Sequence, residues 1–185
     1  MGDRHRPKKG SMGFGPRKRA NRPYGRVKSW PQSEGDEVRV QGFAGWKAGM
    51  THVLMRDLNP GSPSAGAEVR KAVTVVEVPP MRVLAVRGYK MTPYGKQTAG
   101  EVWASAEKLA DVIPSLPRRI PERKEHDADA HLDKLRESNL AEIRLIVSSQ
   151  PDKVSSVGSK TPEIMEMGLT GGDFSAQLDW ASEKL

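Results

Sequence analysis

From Val38 onward the chain alternates short β-branched apolar runs with turn-forming residues. VRVQGFAGW (38–46), MTHVLMRD (50–57), AVTVVEV (72–78) and MRVLAVRGY (81–89) are separated by Ala48-Gly49, by Asn59-Pro60-Gly61-Ser62-Pro63 and by Pro79-Pro80. Short runs punctuated by Gly and Pro predict an antiparallel sheet or small barrel. In 72–78 the polarity contrast between alternate positions is weak, which predicts a strand buried on both faces.

The period then changes. EVWASAEKLADV (101–112) places Val102, Ala106, Leu109 and Val112 or Ile113 at helical spacing, with Pro114 and Pro117 to end the element. A second helix is predicted over 127–137, with Asp127 or Asp129 at its start. EIRLIVSS (142–149) returns to strand, a further strand is expected near 163–168, and GLTGG (168–172) reads as a flexible turn. Asp173 is placed to cap a last helix carrying Phe174, Leu178, Ala181 and Leu185 on one stripe. No repeat of solenoid period occurs.

The first thirty residues have no such period. Gly and Pro recur every few positions, and there is no apolar face to offset the entropy of ordering, so this stretch is expected to order only against a partner. Charge identifies that partner's sign. Of the chain's 185 residues, the first thirty hold ten basic residues (Arg4, Arg6, Lys8, Lys9, Arg17, Lys18, Arg19, Arg22, Arg26 and Lys28) and one acid, Asp3, a net of +9 within a total of +7. The rest of the chain is therefore near neutral, at −2. A cationic arm on a neutral body points to a polyanion. The glycine-rich arm cannot form the amphipathic helix of a membrane-surface segment. Its aromatics, Phe14, Tyr24 and Trp30, are interleaved with the cations as stacking on nucleic-acid bases requires. We therefore expect RNA and no membrane.

Candidate chemistry is sparse. There is no cysteine, so disulfides, thiolate zinc sites and cysteine nucleophiles are excluded. No apolar run approaches the roughly 20 residues of a membrane span, and no secretory signal is expected. His126 and His131 are five apart, on different helix faces, where a helical zinc pair needs i, i+4. Gly10 to Gly15 lacks both the Gly-Lys-Ser/Thr ending of a Walker loop and the flanking strand and helix of a dinucleotide fingerprint. No enzyme, metal or cofactor is expected. Arg118, Arg119, Arg123 and Lys124, among Pro114, Pro117 and Pro121, form a second basic cluster suited to a loop.

Three blocks carry a resemblance. RPKKGSMGFGPRKR (6–19), then VQGFAGWKAGMTHVLMRD (40–57) with Lys47 to His52, then TVVEVPPMRVLAVRGY (74–89) followed by Thr92 to Gly95, are similar in order to archaeal-type large-subunit ribosomal proteins of the L-three family. IMEMGLTGG (164–172) extends the likeness more weakly. The resemblance implies an α+β fold: part of a translation-protein-like small β-barrel with an inserted α/β lobe and a basic irregular N-terminal extension. It divides the chain into a basic extension (1–37), first barrel strands (38–92), an inserted lobe (93–168) and a terminal helix (169–185). By motif, Arg6, Lys8, Lys9, Ser11, Arg17, Lys18 and Arg19 would lie against RNA, with Lys47, Thr51 and His52 on barrel strands near it. The implied function is a structural constituent of the cytoplasmic ribosome, supporting translation, with large-subunit ribosomal RNA and neighbouring ribosomal proteins as partners. A free-standing RNA-binding or ribosome-assembly accessory protein is the alternative. Family members continue past the position matching Leu185, so a further chain or continuation carrying the C-terminal half is also expected.

Overall fold

The computed structural model describes residues 18–31, 35–112, 114–121, 127–155 and 157–185. The elements run β1 (Arg39–Val40), β2 (Trp46–Arg56), β3 (Glu68–Glu77), β4 (Arg82–Thr92), β5 (Gly95–Trp103), α1 (Ala106–Val112), α2 (Ala128–Glu137), β6 (Glu142–Ser148), β7 (Ile164–Thr170) and α3 (Phe174–Glu183). They form an α+β structure with two antiparallel sheets. One has five strands in the order β1-β7-β6-β4-β5; the other is the β2-β3 hairpin. Neither closes into a barrel among the described residues. Hydrogen bonding runs across the junction at 92/93, because β4 pairs with both β5 and β6.

The core lies on one face of the five-stranded sheet. Val86, Val102, Ile143, Leu145, Val147, Met167 and Leu169 meet Leu135 of α2 and Leu178 and Ala181 of α3. A smaller cluster on the opposite face gathers Ala85, Trp103 and Ile146 under Leu116. Strand β6 is central, paired on one side with β4 and on the other with β7, and all seven of its residues are buried. Burying a side chain such as Ile143 or Leu145 is worth about 1.5–3 kcal/mol, so this strand holds the sheet to its helices.

Several sequence expectations need correction. Strand β3 is not buried on both faces; Val75 and Val76 are each 47% exposed. Among the described residues it pairs only with β2, and no helix or second sheet packs over it. The doubly buried strand is β6. The helix expected over 101–112 begins only at Ala106. Glu101, Val102 and Trp103 complete β5, because Glu101 lies opposite Arg87 and Trp103 opposite Ala85 in β4. The helical spacing of Val102 with Leu109 is coincidental. The run 38–46 breaks after β1, where Gly42 and Gly45 let the backbone pass close to Trp30 and Val76. The expected turn at 168–172 is strand through Thr170, and only Gly171 and Gly172 turn. Gly171, at φ +83°, lies against the Glu37 carbonyl, so a side chain there is excluded by both conformation and space.

The helix caps agree better. Asp127 caps α2, its carboxylate accepting from the backbone N–H of Asp129 and Ala130 at 3.1 and 3.2 Å. Asp173 stands at the N-cap of α3, but its side chain makes no capping bond. Of the expected stripe on α3, Leu178 and Ala181 are buried while Phe174 is 41% exposed. Buried Gln177 donates to the Gly171 carbonyl at 2.9 Å and ties the helix to the turn before it.

Candidate nucleic-acid interface

The candidate interface is the N-terminal extension and the sheet face beneath it. Arg4, Arg6, Lys8, Lys9, Ser11, Phe14 and Arg17 lie outside the described residues. Residues 18–31 form neither helix nor strand, as their Gly and Pro content dictates. Lys18, Arg19, Arg22, Arg26 and Lys28 are all exposed. The two aromatics behave otherwise. The Tyr24 hydroxyl donates to the Ile164 carbonyl of β7, and the Arg22 guanidinium lies 6.0 Å from the Tyr24 ring centre. Trp30 packs against the edge of the main core. Its ring lies over Gly168, where an added Cβ would come within 2.5 Å of Trp30 Cγ. Pro31 closes the contact by accepting from Gln41 Nε2. The Trp30 indole N–H and Gln41 Oε1 are buried without hydrogen-bond partners.

Beneath the extension lies an ionic ladder that the sequence reading missed. Opposed residues in neighbouring strands share a face. Arg87 is opposite both Glu101 and Arg144, Tyr89 is opposite Glu142, and Arg144 is opposite Gly168. Two arginines facing each other across a strand pair repel. Glu166 of β7 relieves this by accepting from Arg87 on one carboxylate oxygen and from Arg144 Nη1 on the other at 3.0 Å. Glu101 flanks Arg87 at 2.6 Å, Glu142 flanks Arg144 at 2.7 Å, and Lys96 reaches Glu142 at 2.5 Å. Three cations thus meet three carboxylates. Arg144, with its side chain 6% exposed, also stacks 4.8 Å from the Tyr89 ring centre and donates from Nη2 to the Lys28 carbonyl at 3.2 Å.

Protonation follows from this geometry. Burial pushes the Glu142 and Glu166 carboxyls up. It is outweighed by hydrogen bonds from Arg144 and from Lys96 or Tyr89, together with the neighbouring positive charges, so both lie below the ordinary value of 4.5. Burial alone would lower the Arg87 and Arg144 values, but the hydrogen bond from Arg87 to the Tyr89 hydroxyl and the surrounding carboxylates raise the first, and Glu142 and Glu166 raise the second. The face therefore carries fixed charges that cancel locally, while Lys18, Arg19, Arg22, Arg26 and Lys28 of the extension above it stay exposed. Between them is a cleft of about 740 Å3, bounded by Arg22, Tyr24, Arg26 and Trp30 above and by Arg87, Trp103 and Glu166 below.

A family model described as "Ribosomal protein L3" matches residues 1–185. The chain belongs to the ribosomal protein L3 family. It is 44% identical to the large ribosomal subunit protein uL3 of Haloarcula marismortui over 180 residues, covering 95% of this chain and 52% of that protein. It is also 44% identical to the uL3 proteins of Archaeoglobus fulgidus, covering 98% of this chain and 52% of that one, and of Methanothermobacter thermautotrophicus, covering 100% and 53%. The chain spans about half the length of the curated relatives it matches.

The blocks resembling the L-three family fall on different elements. Lys47, Thr51 and His52 all sit on β2 with exposed side chains. Lys47 is opposite Val76 and His52 opposite Ala72, while Thr51 is opposite Val73. Alternation therefore puts Lys47 and His52 on one face of the hairpin and Thr51 on the other. Arg70 lies 3.0 Å from His52 Nδ1, which makes the ring nitrogen the acceptor. Of the second basic cluster, Arg118 is exposed and Arg119 pairs with Glu163 at 2.7 Å. Arg123, Lys124 and His126 lie outside the described residues. Among the described residues no group of three His, Cys, Asp or Glu is placed to hold a metal ion, and no helix is long and apolar enough to cross a membrane. The ladder had a visible signal: Glu142 and Arg144 interrupt an otherwise apolar strand at a two-residue spacing.

Proposed function

We propose that this chain is a structural constituent of the large ribosomal subunit that binds and organises large-subunit ribosomal RNA in the cytoplasmic ribosome, beside neighbouring ribosomal proteins, without enzymatic activity. The observation that carries the reading is the separation of charge. Among the described residues, the five cations of the extension face solvent without carboxylate partners, while the three cations of the sheet face beneath, Arg87, Lys96 and Arg144, are neutralised by Glu101, Glu142 and Glu166. RNA phosphates are the polyanion such an arm fits, and counterion release supplies the affinity. Membership of the ribosomal protein L3 family and the names of the uL3 relatives support the same function.

The hairpin of β2 and β3 belongs, in this reading, to a small barrel of the translation-protein type. Met50, Leu54 and Val76 are exposed on it, and among the described residues both of its edges are unpaired, which is the condition of strands awaiting neighbours. Those neighbours come from a continuation of the chain or from a second polypeptide. Lys18, Arg19, Arg22, Arg26 and Lys28 contact RNA phosphates, and Lys47 and His52 offer a second, weaker contact from one hairpin face. Co-sedimentation with large subunits at moderate salt tests the proposal. The full chain should pellet with the subunit, and a chain lacking residues 1–30 should not. Equal recovery of both would show that the body, not the arm, holds the RNA.

A further inference from the structure

Among the described residues, the hydrogen bonds that hold the extension to the sheet use none of its basic side chains, and Arg22 lies only against the ring of Tyr24 within the extension itself. Residues 24–31 are fixed by the Tyr24 hydroxyl on the Ile164 carbonyl, by the Trp30 ring over Gly168, and by two backbone carbonyls, Lys28 to Arg144 and Pro31 to Gln41. The five cations between Lys18 and Lys28 remain exposed. Anchoring and charge presentation are thus carried by different groups on the same segment.

We propose that Trp30 and Arg144 are positioning residues that dock residues 24–31 as a strap on the sheet, and so fix the point and direction from which the basic arm leaves the body. This rests on the RNA-binding reading above. Arg144 suits the task because its charge is already met by Glu142 and Glu166, and its guanidinium is held against Tyr89. Its Nη2 N–H groups reach both Glu142 and the Lys28 carbonyl, at 3.1 and 3.2 Å. A lysine at this position keeps the charge but has no planar fork to span carboxylate and carbonyl together. Gly168 is the seat for the ring: any side chain there displaces Trp30. An arm anchored at its root loses less freedom on meeting RNA, which raises affinity without adding a phosphate contact.

Two substitutions leave every charge of the extension in place. Gly168→Ala puts a methyl group into the Trp30 seat, and Arg144→Lys removes the fork. Limited trypsin digestion of the free full chain reads the strap directly. In the unaltered protein the bonds after Arg26 and Lys28 should be cut slowly. In either variant they should be cut at least about tenfold faster, while the bonds after Arg82 and Arg87 in β4 stay protected. That control shows the body is still folded. Binding to a large-subunit ribosomal RNA transcript should weaken about tenfold, with the slope of log affinity against log salt unchanged, because the number of phosphate contacts is unchanged. Trp30→Ala should show the same faster cleavage and weaker binding, and Trp30→Phe should keep most of the protection and affinity that Trp30→Ala loses. Unchanged cleavage after Lys28 in both variants would overturn the strap. Faster cleavage with unchanged affinity would overturn the positioning role. Failure of the unaltered chain to bind the transcript would sink the RNA reading, and the positioning role with it, whatever the digestion shows.

Discussion

At the scale of single residues, Arg144 is the most constrained group described. It sits in the middle of a strand whose residues are all buried, opposite another arginine, and its position is tenable only because Glu142 and Glu166 meet it. Removing one partner of a buried ion pair leaves the others uncompensated and costs about 3–5 kcal/mol. Lys96 and Arg87 remain to share the two carboxylates, so Arg144→Met should cost about 3 kcal/mol, at the lower end, as a shift in denaturant midpoint with an unchanged m-value. The same carboxylates predict an acid response. Both have folded-state values below the ordinary 4.5, so the stability they contribute is fully present above that pH. It is lost as pH falls through their lowered values. Replacing Glu166 by Gln should lower stability at neutral pH and flatten its decline below about pH 4.5, measured by denaturation at a series of pH values.

At the scale of elements, the contrast is between β6 and the β2-β3 hairpin. Both contain apolar runs, but β6 has a strand on each side and a layer on each face, whereas the hairpin has neither. The energetic weight of their leucines should differ accordingly. Leu145 is 1% exposed and Leu54 is 69% exposed. Leu145→Ala should cost about 2–5 kcal/mol, as large-to-small core changes do. Leu54→Ala in the same chain should fall within about 0.5 kcal/mol of the unaltered protein. A comparable cost at both positions would mean that the hairpin is packed against something in solution, which would count against unpaired strands awaiting neighbours.

At the scale of the whole molecule, the charge asymmetry predicts the salt response. If about eight of the arm's cations reach phosphates, the log–log salt slope of RNA binding should be roughly −6 to −7. Deleting residues 1–30 should remove most of that slope, because the cations of the ladder are neutralised within the body. Filter binding across a salt series measures both. What the sequence determined by itself is what depends on neighbours in the chain: the cationic arm without a period, the turns at Pro and Gly, an aspartate at the start of α2, and most of the strands. The motif blocks were also legible there, since family membership is a property of residue order. What only the tertiary structure decided is what depends on neighbours in space. Weak alternation in β3 and β6 reads the same along the chain, yet β6 is buried and β3 exposed, because strand order places two partners beside one and a single partner beside the other. Val102 has helical spacing with Ala106 and Leu109, yet it is strand because Val86 of β4 lies opposite it. Trp30 and Arg144 are 114 positions apart and act on the same short segment only because β7 puts Gly168 beside Arg144, leaving a gap in the side-chain layer where an indole ring can lie.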